Sequence, residues 1–110
     1  MPGLLPHPTP VLLEQAVAVP GTAVPLAAVA TYTRLAVLQA GRAGAANAGN
    51  ICYGVASVDI AAHRGIELAP GEILVIKPPE GETIDLNTVY IDADNATDGV
   101  RGHYYPITTT

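Results

Sequence analysis

The chain has 110 residues, 49% of them apolar, and ten acids against five bases leave a net charge of −5. That length suits one domain with a modest core, and the acidity excludes a generic nucleic-acid binder, which needs clustered Lys and Arg to neutralise phosphates. A single Cys excludes a disulfide framework or a multi-cysteine metal site, while 11 Gly and 10 Pro, with no Phe and no Trp, argue for short strands joined by turns rather than long helices.

Residues 1–10 read as an extended arm. Pro2, Pro6, Pro8 and Pro10 fix φ and remove backbone donors. The arm carries no Lys or Arg and is interrupted by proline, so it does not read as a signal peptide. The next window, Val11 to Ala30, is broken by Glu14, Gln15, Pro20, Gly21 and Pro25 and lacks the unbroken apolar run of a spanning helix. The chain therefore reads as soluble, with no membrane partner, and a reduced Cys52 suits assembly in a cytoplasm.

Val11 to Val19 reads as a strand rather than a short helix, from its β-branched residues and the Pro20-Gly21 break. Thr22 to Val24 resumes after that turn, and Pro25 confines it to an edge or an element start. Thr31 to Gln39 alternates, with Leu35 and Val37 on one face and Arg34 and Ala36 on the other, as a half-buried strand does. A helix from Leu26 to Ala40 is the alternative, opposed by the Thr31-Tyr32-Thr33 run and the lack of a cap.

Gly41 to Asn50 is a loop by composition, and Ile51 to Val55 a strand. Ser57 to Arg64 reads as a polar connection, Gly65 to Leu68 as a short strand, and Ala69-Pro70-Gly71-Glu72 as a turn. Ile73 to Ile76 is the strongest apolar run and reads as a core strand, ended by Pro78-Pro79-Glu80-Gly81. Thr83 to Leu86 alternates with Ile84 and Leu86 inward. After a corner at Asn87-Thr88, Val89 to Ala93 alternates again. Asp98-Gly99 predicts that Asp94 to Gly99 is a hairpin loop leading into a last strand, Val100 to Ile107. The expectation is all-β: eight or nine short strands in a small β-sandwich or jelly-roll-like domain over residues 11–110.

Residues that could carry chemistry are few. Asp92, Asp94 and Asp98, with Asn95 between, resemble a calcium loop, since hard cations want several oxygens from one short turn. The spacing is irregular, no Glu closes the shell, and Asp and Asn favour turns without a metal, so a plain turn is the preferred reading. Cys52 and His63 could pair as nucleophile and base only if the fold joined them, and Cys52 sits within an apolar strand. His7, His63 and His103 lie in three separate segments. Gly41, Gly44 and Gly49 lack the Lys and the strand-to-helix setting of a phosphate loop. Tyr104 and Tyr105 fall on opposite faces of the last strand, one expected in the core and one free to anchor a partner. The expectation is a protein without cofactor or enzymatic activity.

From Asn47 to Tyr105 the order of phrases is distinctive. Asn47-Ala48-Gly49-Asn50-Ile51-Cys52-Tyr53-Gly54 is followed by Gly65-Ile66-Glu67-Leu68-Ala69-Pro70-Gly71-Glu72. Then come Ile84-Asp85-Leu86-Asn87-Thr88-Val89-Tyr90-Ile91-Asp92-Ala93 and a strand ending Tyr104-Tyr105. This order resembles the small virion-associated proteins of tailed bacteriophages. The likeness covers a little over half the chain and leaves the proline- and alanine-rich N-terminal part unexplained.

The resemblance implies a β-sandwich structural protein of the virion, in particular a capsid decoration (cement) protein on the capsid surface, assembled in the host cytoplasm. Its partners would be the major capsid protein and copies of itself, with a homotrimer suited to local three-fold positions of a shell. Contacts expected to carry binding are Pro2, Leu4, Leu5, Pro6, Pro8 and Pro10 of the arm, with Tyr104 and Tyr105. The alternative is a head-fibre, tail or adhesion module binding host surface glycan, disfavoured by the lack of Trp.

Overall fold

The computed structural model describes residues 9–107. Of the expected arm, Met1 to Pro8 lie outside the described residues, whereas Thr9 and Pro10 are exposed and without regular structure. Nine strands follow: β1 (Val11–Ala16), β2 (Val24–Pro25), β3 (Tyr32–Ala40), β4 (Ile51–Gly54), β5 (Ile66–Leu68), β6 (Ile73–Ile76), β7 (Ile84–Asp85), β8 (Tyr90–Ala93) and β9 (Gly99–Pro106). One 3-10 turn, Leu86–Thr88, sits between β7 and β8. The all-β expectation holds, and the helix over Leu26 to Ala40 does not form. Among the described residues no helix is long and apolar enough to cross a membrane.

The strands make two antiparallel sheets. One has the order β1-β9-β3-β6, with β7 also on β3; the other has the order β2-β8-β4-β5. Leu13, Ala36, Leu38, Leu74, Ile76 and Val100 from the first sheet meet Ile51, Leu68, Ile91 and Ala93 from the second in one core, closed by Val17, Leu26 and Leu86. This is a sandwich whose interior is filled by Leu, Ile, Val and Ala side chains, with Tyr53 and Tyr104 at its margin.

Turn chemistry places the strand ends as the sequence predicts. Glu72 N–H donates to Ala69 O at 3.0 Å, with Pro70 setting φ and Gly71 at φ +88. Glu82 N–H bonds Pro79 O at 2.9 Å across Gly81. Pro25 lies in β2, at the edge of its sheet.

Four expectations change. The strand predicted to run to Val19 stops at Ala16. Val17 is buried but Val19 is exposed in a turn, where Thr22 N–H bonds Val19 O. In β3 the register shifts between Thr33 and Ala36, and the Thr33 hydroxyl fills the irregularity, accepting from Leu35 N at 3.1 Å with its one proton directed between Tyr105 O at 2.7 Å and Leu35 O at 2.8 Å. Beyond it Ala36, Leu38 and Ala40 face the core, while Val37 is exposed.

The third change concerns β6, which is an edge strand buried only through Leu74 and Ile76. A continuous apolar run suited burial on both faces, but nothing described covers the outer one. The fourth concerns residues 94–98, which do not close a hairpin. β8 and β9 belong to different sheets, so this loop crosses the sandwich, and the positive φ falls on Thr97 rather than on Gly99.

Candidate functional site

The three carboxylates of the expected metal loop are not gathered. Among the described residues no group of three His, Cys, Asp or Glu could hold a metal ion. Asp92 alternates outward from β8, yet it is fully buried. Its Oδ1 accepts from Gly21 N and Ala93 N at 2.9 Å, and its Oδ2 from Ile60 N at 3.0 Å. One carboxylate thereby ties two separate loops to the back of the four-stranded sheet. Asp98, also fully buried, accepts from Arg42 Nε at 2.7 Å and from Ala48 N and Gly49 N at 2.9 Å. Asp94 is exposed. Two of the three are thus committed to backbone donors, the usual use of Asp in irregular structure.

Burial works to raise the Asp98 pKa, but the Ala48 N–H, the Arg42 side chain and the Gly49 N–H outweigh it and hold the carboxyl below its ordinary value. Asn47 beside it forms a reciprocal pair with Gly99: its Nδ2 donates to Gly99 O at 2.9 Å and its Oδ1 accepts from Gly99 N at 3.0 Å. Asn47 and Asp98 together pin the glycine-rich loop, which composition alone marks only as irregular.

Cys52 and His63 are not brought together as a catalytic pair. Cys52 is fully buried beside Asp92, its register partner on β8. Desolvation, then the Asp92 charge, push the thiol pKa up to about 11. His63 is exposed and bonds Glu67 through Nδ1 at 2.9 Å, which raises its pKa. The 57–64 connection is not simply polar. Val58 and Ile60 are buried over Cys52 and form a second small core with Ala23 and Tyr90. The outer face of the four-stranded sheet is therefore covered.

Among the described residues nothing covers the outer face of the five-stranded sheet. Registered positions place Leu12, His103, Val37 and Val75 in one row across β1, β9, β3 and β6. Glu14, Arg101, Gln39 and Ile73 form the next row. Leu12 is 60% exposed, Ile73 56%, Val75 55% and Val37 39%, too much for core residues. Leu12, Val37 and Ile73 edge a shallow depression of about 280 Å³. Arg101 is held at its rim by Arg42 O at 3.0 Å, Ala45 O at 3.3 Å and Gln39 Oε1 at 3.4 Å.

Of the predicted contact residues, Pro2, Leu4, Leu5, Pro6 and Pro8 lie outside the described residues, and Pro10 is exposed next to β1. Tyr104 packs on the core. Tyr105, half-buried, alternates onto the open face. Sequence reasoning missed Leu12, Val37, Ile73 and Val75. Their signal was present as apolar residues in strands, but which face is open depends on the β3 irregularity and on which loops cover which sheet. Compared with family models, curated proteins and solved structures, the chain matches none.

Proposed function

We propose that this chain is a capsid decoration protein of a tailed bacteriophage, which stabilises the head by binding between major capsid subunits and transforms no substrate. The observation that carries the reading is the open apolar face around Leu12, Val37, Ile73 and Val75. Val37, Ile73 and Val75 adjoin one another, with Leu12 across His103, and exposed apolar side chains grouped among polar ones on one sheet face mark a protein contact. Further support comes from the phrases that resemble virion proteins. Three of them, far apart in sequence, supply the adjacent strands β8, β4 and β5 of one sheet.

A cement protein acts by many modest contacts made at once, so that each attachment raises the effective concentration of the next. Copies of this chain bound side by side on a shell fit that requirement. The net charge of −5 suits basic patches on capsid subunits, and binding should weaken as salt rises.

Full-length protein mixed with shells of the major capsid protein from the same particle should co-sediment with them. Leu12→Glu or Val37→Glu should lower occupancy by roughly tenfold, as loss of an interface anchor does, with the melting temperature unchanged. Removing residues 1–10 should abolish shell binding and leave the circular dichroism spectrum intact. Full occupancy by the truncated chain would dismiss a role for the arm. Binding to tails or to a glycan array, with none to shells, would move the protein to the head-fibre, tail or adhesion reading.

A further inference from the structure

Backbone hydrogen-bond phase along β6 reveals an unused pairing edge. Ala40 N–H donates to Glu72 O at 2.9 Å, which turns the even-numbered N–H groups of β3 toward β6. The opposing even residues of β6, Leu74 and Ile76, therefore face β3. Ile73, Val75 and Lys77 direct their N–H and C=O groups away from the sheet. β6 pairs with β3 alone among the described residues.

Along β6 itself this edge lacks the usual protection against strand addition, which begins only at Lys77 and Pro78. Ile73-Leu74-Val75-Ile76 contains no charge, proline or bulge. The opposite edge of the same sheet differs. Val17 N–H donates to Asp98 O, so the even-numbered donors of β1 face outward. On that side Pro10 has no donor to offer, and Glu14 places a charge on the strand. One edge is blunted and the other is open.

We infer that β6 pairs antiparallel with β6 of a second copy of this chain, about a two-fold axis through Val75. Only residues of like parity can then stand opposite each other with both open faces on the same side. Val75 meets Val75 of the partner subunit, and Ile73 meets Lys77 of the partner subunit. Antiparallel pairing holds the two Lys77 side chains at opposite ends of the shared ladder, whereas in-register parallel pairing would set Lys77 against Lys77. The row Leu12–His103–Val37–Val75 continues unbroken across the axis and doubles the apolar face. Both open edges are consumed, so the assembly closes at two copies instead of growing. This two-fold symmetry replaces the three-fold grouping expected from the resemblance.

The test uses the full chain in solution, with no shell present. Light scattering during gel filtration should give a dimer, and hydrogen exchange should find the Val75 and Lys77 amides protected in the dimer and fast on dilution. Val75→Pro deletes an outward donor without touching the β3 ladder and should yield a folded monomer. Val75→Lys keeps every backbone donor but opposes like charges on the axis, and should weaken dimerisation by ~10-fold or more. A monomer at all concentrations, a trimer, or a dimer whose β6 amides exchange freely would overturn the inference. None of these outcomes bears on shell binding, which is measured separately.

Discussion

At the scale of single residues, this protein uses its buried carboxylates as fasteners. Asp98 illustrates the consequence for pH. Its native carboxyl titrates below the value it has in the unfolded chain. Its contribution to stability is therefore complete above the ordinary aspartate pKa of about 4 and is lost as the pH falls through the lower native value. Asp98→Asn should lower the melting temperature at neutral pH, and the gap to the native chain should narrow steadily on acidification below about pH 4. A gap independent of pH, measured by calorimetry from pH 7 down to pH 2, would mean that the charge is not what holds the Gly41–Asn50 loop. Asp92 and Asp98 stood out in the sequence, and their acidity and turn context invited a metal. Their role depends on donors up to 71 residues away, which no local spacing reveals.

At the scale of elements, β9 decides the five-stranded sheet. It runs between β1 and β3 over eight residues, and two glycines allow the close approach. A Cβ at Gly102, where φ is +157, would collide with the Val37 carbonyl; one at Gly99 would collide with the Gln15 carbonyl. Both obstacles are backbone and cannot move aside. Gly102→Ala should therefore cost about 3 kcal/mol or more, in the range of strained or overpacked positions, read as a drop in the urea midpoint. A change below about 0.5 kcal/mol, the scale of neutral surface substitutions, would show that the strands separate easily.

The strands themselves were largely legible, because β-branched runs between Pro-Gly and Asp-Gly breaks are local signals. Three features were not. The phase of β3 turns on one hydroxyl, that of Thr33, reaching Tyr105 O. The burial of β6 depends on which element lies beside it, and an Ile-Leu-Val-Ile run reads alike at an edge or a centre. Asp98-Gly99 carries a hairpin signal, but β9 pairs with β1 and β3, and those distant ladders override the local preference.

At the scale of the whole molecule, the sandwich is lopsided. Loops fastened by Asp92 and filled by Val58 and Ile60 clothe the back of one sheet, while among the described residues the back of the other is bare. The candidate contact surface was the least legible part of the sequence, since it exists only once both sheets are assembled and one is covered. The expected arm contacts rest on residues 1–10, whereas the bare face spreads over β1, β3 and β6.

Lopsidedness separates two kinds of selective pressure. Leu12 and Val37 contribute little to keeping the chain folded, so drift at these positions leaves a thermal melt unchanged and is filtered by whatever the bare side touches. Asp92, Cys52 and Ile60 are filtered by folding itself. Foreign peptide spliced into the exposed 55–57 tip on the clothed side would project away from that contact, which makes the tip a natural port for display.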